Sequence, residues 1–273
     1  MFSLSKPESA FIEAGVEKGV RNDGRARLDY RSLHLETGVV PTAHGSARVR
    51  LDRTHVVVGV KLEVAEPAAD APDRGYIYCS VECSATASDM FMRQGSQDAN
   101  TELTGAMQRF YESCLDLGAL AIIPGRSVWA VFIDVEILDT DGSALDAASA
   151  GVRAAVRTAQ VPCIHLVGST DRDEGRDFEV SPDPIDSTRL PADLVPICVS
   201  MTKIGRCFIA DATVQEELCM SAQVSVAVNA NGDICGLVKM GSGSLTPAAL
   251  SDAIVCAKEI GVQLISRIDA MIA

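Results

Sequence analysis

The chain has only four histidines, far apart, and no Cys-x-x-Cys among its nine cysteines. Zinc sites need clustered Cys or His ligands, so neither a metal centre nor a cofactor is expected. The cysteine count is odd, and most of these thiols lie in apolar runs, where free Cys packs as a small hydrophobe. That usage fits a reducing compartment. No apolar run reaches the ~18 residues of a membrane-spanning helix. Met1 to Gly15 lacks a signal-peptide apolar core, so no membrane partner is expected. No Gly-x-Ser-x-Gly elbow supports a Ser-His-Asp hydrolase. Sequence repeats and low-complexity tracts are missing as well. Positive charge is scarce: 24 Lys and Arg stand against 37 Asp and Glu, a net charge of −13. Such a surface repels phosphates unless its basic residues cluster, which disfavours a free-standing RNA-binding protein.

What is present is apolar content of 47% with only 4% aromatics, a globular composition rich in aliphatic residues. A short helix and a charged turn open the chain. Alternation then predicts strands at Ser46–Leu51, His55–Val64 and Tyr76–Cys83. Apolar spacings of three and four predict a helix over Thr101–Leu117, capped by Asp98 or Asn100. A strand follows at Val128–Leu138, then a turn at 139–142. The next helix, Ala144–Thr158, carries small residues suited to close packing on a sheet. Residues 168–191 are polar and proline-rich and read as a linker. Four more strands follow, at Val195–Lys203, Cys207–Ala210, Ala222–Asn229 and Ile234–Lys239. Asn231-Gly232 predicts a hairpin turn with both central residues at positive φ. A helix over Pro247–Ile268, capped by Thr246, ends the pattern. The fold class is α+β: one module over 28–167 and a second over 192–268, each a mixed sheet covered by helices.

Several stretches could carry chemistry. Asp139-x-Asp141-Gly142 begins like a calcium loop but lacks the later ligands, so it reads as a turn. Gly241-Ser242-Gly243-Ser244 precedes a helix and could offer amides to a phosphate, but no Lys-Ser/Thr follows, so it reads as a loop. Residues 21–53 hold seven Arg and four acids, a local charge of +3. Within this segment Arg48 and Arg50 share one side of a strand and could follow RNA phosphates. The competing reading is an ordinary solvated strand face. In Asp211-Ala212-Thr213-Val214-Gln215-Glu216-Glu217, three carboxylates could bind magnesium or exchange protons, or simply end a strand.

Taken in order, Arg21-x-Asp23-Gly24-Arg25, Gly45-Ser46-Ala47-Arg48-Val49, Val58-Gly59-Val60-Lys61, Asp141-Gly142 and Asp211-Ala212-Thr213-x-x-Glu216-Glu217 resemble the RNase PH family, in its exosome-ring branch. The resemblance implies an RNase PH-like fold of two βαβα-type modules. It also implies a ring subunit of the RNA exosome, acting in 3′-to-5′ RNA processing and degradation, including rRNA maturation. The implied partners are other RNase PH-type ring subunits in a hetero-oligomer, cap subunits, and single-stranded RNA passing through the ring. The implied compartments are nucleus and nucleolus, and also cytoplasm.

Active relatives cleave RNA with inorganic phosphate, and hold that anion with arginines and backbone amides. Their first long helix presents three arginines; the matching positions here are Gly105, Arg109 and Glu112. Their Gly-Gly-Thr-Arg at the start of the second helix is matched by Gly142-Ser143-Ala144-Leu145, followed by Asp146. A charge-assisted hydrogen bond contributes about 1.5–3 kcal/mol. Three lost arginines therefore cost on the order of 5–9 kcal/mol, if additive. Glu112 and Asp146 are expected to add repulsion. Asp211 matches a family catalytic carboxylate, Glu217 replaces a second, and Gln223 stands at another acidic position. The expectation is a silent subunit with no catalytic residue, in which Asp211, Glu216 and Glu217 are structural or interfacial. Arg109, the one retained helix arginine, leads the RNA-contact candidates, with Arg48 and Arg50 next. An active phosphate-dependent exoribonuclease and an RNA-binding protein outside any ring stay open as alternatives.

Overall fold

Small residues bring the central helix onto the first sheet. The computed structural model describes residues 4–84, 87, 96–112, 116–167, 177–181, 183 and 186–272. After helix α1 (Lys6–Glu17) come strands β1 (Leu33–Thr37), β2 (Gly45–Leu51), β3 (Thr54–Ala65) and β4 (Tyr76–Cys83). Helix α2 (Ser96–Tyr111) leads to β5 (Ala121–Ile123), β6 (Ser127–Asp139) and helix α3 (Ala144–Thr158). The sheet order is β1-β2-β3-β6-β4, with β4 parallel to β6 and the other neighbours antiparallel. At Gly45 a Cβ would lie 2.3 Å from the Ala155 carbonyl, and at Gly151 2.7 Å from Val58 Cγ2. Only glycine permits this approach of α3 to β2 and β3.

Strands β7 (Gln160–Pro162), β8 (Ile164–Val167), β9 (Asp177–Val180) and β10 (Ser187–Arg189) form two small ribbons, β7 with β10 and β8 with β9. Part of the 168–191 segment thus pairs back onto the end of the first module. Its residues 168–176, 182, 184 and 185 lie outside those described. The second sheet has the order β12-β11-β13-β14, from β11 (Ile197–Ile204), β12 (Cys207–Ala210), β13 (Ala222–Val228) and β14 (Ile234–Met240). A single turn of helix, α4 (Val214–Glu217), follows β12. Helix α5 (Pro247–Ile272) closes the chain, and Thr246 Oγ1 caps it by accepting from the Ala249 amide. Helices α3 and α5 sit between the two sheets in one continuous apolar core. Arg153, its side chain fully buried, ties them together: its Nη2 lies 2.8 Å from Asp269 Oδ2, and its Nη1 donates to the Val195 carbonyl.

Three local expectations are corrected. The helix expected over 101–117 spans 96–111, so positions 98 and 100 lie inside it rather than ahead of it. Asn100, Thr104 and Gln108 instead turn one polar stripe toward the outer edge of β4. Their side-chain oxygens accept from the amides of Cys83, Val81 and Cys79 at 3.1, 2.9 and 2.7 Å. That stripe satisfies the donors an edge strand leaves open. At the β13–β14 turn only Gly232 has positive φ (78°), and Asn231 does not. There the Asn229 side chain accepts from the Asn231 and Asp233 amides and organises a longer turn.

Candidate functional site

The acidic stretch after β12 meets the arginines of the N-terminal segment. Asp211 is completely buried and sits at φ 47°, in the left-handed region. That conformation costs a non-glycine residue about 1–2 kcal/mol, and the contacts of the side chain offset it. Arg31 Nη2 lies 2.6 Å from Asp211 Oδ1, and Arg31 Nε 2.9 Å from Oδ2. The Arg31 amide donates to Oδ2 at 2.8 Å, and Arg25 Nη1 to the same oxygen at 2.7 Å. Arg21 Nε and Nη2 grip both oxygens of the buried Glu216 at 2.9 and 2.6 Å. Glu216 also accepts from the Thr213 amide, closing a capping box on α4. Both oxygens of Asp211, which could otherwise face a magnesium ion or a proton donor, are held by Arg31, and Oδ2 by Arg25 as well.

The start of α3 is occupied as well. Gly142 is held at φ 86° against the Ala212 carbonyl, 2.3 Å from where a Cβ would stand. Ser143 follows at φ 52°, and its amide donates to Glu217 Oε1 at 2.9 Å. A helix N-terminus attracts anions through its free amides, and here an internal carboxylate occupies that position. Burial pushes the Glu217 carboxyl up to about 7, and the negative charges of Asp146 and Asp211 add to the rise. Arg31 and the Ser143 amide oppose it.

Asp146 corrects an expectation of repulsion toward a bound anion. It is buried at 4% exposure and points into the junction between the modules. Tyr30 Oη donates to its Oδ2 at 2.7 Å, Ser200 Oγ to its Oδ1 at 2.6 Å, and the Ser200 amide to Oδ2 at 3.0 Å. Burial raises its carboxyl to about 6 despite these donors. Leu145 is buried in the core. Gln223 bonds Thr202 within the second sheet at 3.1 Å.

The sequence-predicted RNA contacts are not brought together. Arg109 is exposed on α2, and its Nε donates to the Gly105 carbonyl at 2.9 Å within its own helix. No ion pair from Arg109 to Glu102 or Glu112 forms among the described residues. Arg48 and Arg50 share the open face of β2, opposite the face that packs on α3. Arg48 Nη1 lies 3.4 Å from Glu36 Oε2, an exposed and loose pair. Of the seven arginines between 21 and 53, Arg21, Arg25 and Arg31 are consumed by the buried acids. Those roles were not foreseen, although Arg21 and Arg25 of one motif, with Arg31 just beyond it, match Asp211 and Glu216 of another. Among the described residues no His, Cys, Asp and Glu group could hold a metal ion.

The chain matches the 3′ exoribonuclease family, RNase PH, with domain 1 over residues 29–162 and domain 2 over 195–260. It is 34% identical to the putative exosome complex exonuclease RRP42 of Dictyostelium discoideum, over 98% of each chain. It is 36% identical to the exosome complex component Rrp42 of Methanocella arvoryzae, over 91% of this chain and 90% of that one. A chain of the Archaeoglobus fulgidus exosome with RNA bound to the active site superposes with a TM-score of 0.81 at 25% identity, covering 96% of this chain and 97% of that one. Rice Rrp46 shares the fold, with a TM-score of 0.68 at 14% identity over 93% and 100% of the two chains.

Proposed function

This chain belongs to the RNase PH family of 3′ exoribonucleases, and we propose that it is a non-catalytic ring subunit of an RNA exosome. It acts in 3′-to-5′ RNA processing and degradation, rRNA maturation included. One observation carries the reading: the anion position at the start of α3 is filled by Glu217, while Asp211 is neutralised by Arg25 and Arg31. A phosphate nucleophile would have to displace one internal carboxylate and sit beside a second whose partners are taken. The relatives that are exosome components support ring membership with other RNase PH-type subunits; cap subunits complete the proposed assembly. Single-stranded RNA is guided past this subunit by Arg109, Arg48 and Arg50. The eight described cysteines are free, which suits the reducing nucleus, nucleolus and cytoplasm.

The test is size-exclusion chromatography with light scattering, on the chain alone and co-expressed with RNase PH-type partners. A hetero-oligomer is expected. A chain that stays monomeric with every such partner overturns the proposal.

A further inference from the structure

The first sheet leaves one face uncovered, and its β4–β6 side is patterned. Tyr78 and Phe132 occupy matching register positions and stack with ring centroids 5.5 Å apart, at 17°. Tyr76 meets Tyr78 edge-on at 5.7 Å. Tyr78 is 52% exposed, in a chain with twelve aromatic residues in all. Continuing along the same two strands, Ser80 pairs with Asp134 and Glu82 with Glu136. Asp134, Glu82 and Glu136 are exposed and, among the described residues, make no ion pair. Lys61, beside Phe132 in register, is engaged by Glu63. Gly59, beside Asp134, adds no side chain to the face.

Like charges directly opposite on neighbouring strands destabilise a sheet. Glu82 and Glu136 are such a pair, and their strand neighbour on β3 is the apolar Val57. An isolated chain gains nothing from this arrangement. A cation laid across it would turn the repulsion into attraction, and the stacked rings, on the same two strands beyond Ser80 and Asp134, are suited to hold a guanidinium. The same carboxylates repel nucleic-acid phosphates, so RNA is the wrong occupant. We infer that this aromatic and acidic strip is a docking surface for an arginine-bearing segment of another protein. The rings take the guanidinium plane, while Glu82, Asp134 and Glu136 supply the complementary charge. The inference does not depend on the ring assignment and concerns the β4–β6 side of the open face, two strands away from Arg48 and Arg50 on its β2 side.

The test uses the full chain and a fluorescein-labelled peptide with arginine at alternate positions, followed by anisotropy in low salt. Tyr78→Ala, and separately Glu82→Gln with Glu136→Gln, should each weaken binding about threefold to thirtyfold. Tyr78→Phe should bind like the parent. The paired glutamine variant should melt no lower than the parent, because it removes a repulsion; this separates lost docking from lost folding. A control with the same charge change elsewhere, Glu13→Gln with Glu17→Gln, should bind like the parent. Equal weakening in the control would reduce the effect to net charge and overturn the inference. Unchanged binding in the strip variants would overturn it too. So would a labelled oligouridylate whose binding is lost in Tyr78→Ala, because that result would assign the face to RNA.

Discussion

Arg31 and Asp211, 180 positions apart, are joined through three donors of the arginine: Nη2 to Oδ1, Nε to both carboxylate oxygens, and the Arg31 amide to Oδ2. This pair fastens the N-terminal segment to the second module, at the place where active relatives carry a catalytic carboxylate. Removing one member of a buried ion pair strands the other, at about 3–5 kcal/mol. Asp211→Ala and Arg31→Ala should each lower stability by that order in urea unfolding. The double variant should lose less than the sum, because the two residues share one interaction.

Stability should also fall as pH rises from about 4 toward 7. The folded-state values of Asp146, about 6, and Glu217, about 7, lie above the ordinary carboxylate range. The folded state therefore takes up these protons first, and its advantage is complete below the unfolded values. It is lost as pH climbs through the folded ones. For fully buried Asp146 the effect is on the order of 3 kcal/mol. Glu217 keeps some solvent contact and should contribute less. Asp146→Asn should flatten the decline between pH 4 and 6, and Glu217→Gln the part between 5 and 7.5, read from thermal midpoints across a pH series. Parent and variants with identical pH profiles would remove these carboxyls from the account.

The β4 edge supplies a third expectation. Thr104→Val strands the Val81 amide, and Gln108→Leu that of Cys79, at about 1–3 kcal/mol each. Alanine at Asn100, Thr104 and Gln108 together should open the edge to pairing between chains. Light scattering during mild heating should show aggregation in the triple variant at temperatures where the parent stays clear.

RNA guidance divides between two separate surfaces, since Arg109 lies on α2 and Arg48 and Arg50 on the open face of β2. Within the assembled ring, Arg109→Ala and Arg48→Ala should each lower the salt dependence of RNA binding by about one unit, with sequence preference unchanged. Unchanged affinity and slope in the double variant would assign both arginines to structure and leave guidance to the partners.

The strands and the two long helices that build the core were legible in the sequence, because alternation and three-four spacing report burial directly. The small residues of α3 announced its close packing in the same way. The clamp was not legible. Arg21, Arg25 and Arg31 sit in a basic segment that alone suggests a phosphate-binding face, and only the fold brings Asp211 and Glu216 to them. Periodicity carries no signal for contacts nearly 200 residues apart. Helix α2 was misplaced for a related reason. Its first turns carry Asn100 and Thr104 for the edge of β4, and this polar stripe reads as a helix boundary when the strand is not in view.

Glu217 and the arginine-held Asp211 leave no place for a phosphate nucleophile. The decisive measurement incubates the purified chain with single-stranded RNA, inorganic phosphate and magnesium, and follows nucleoside diphosphate release. No release is expected. Phosphate-dependent release that disappears in Asp211→Asn would contradict that expectation.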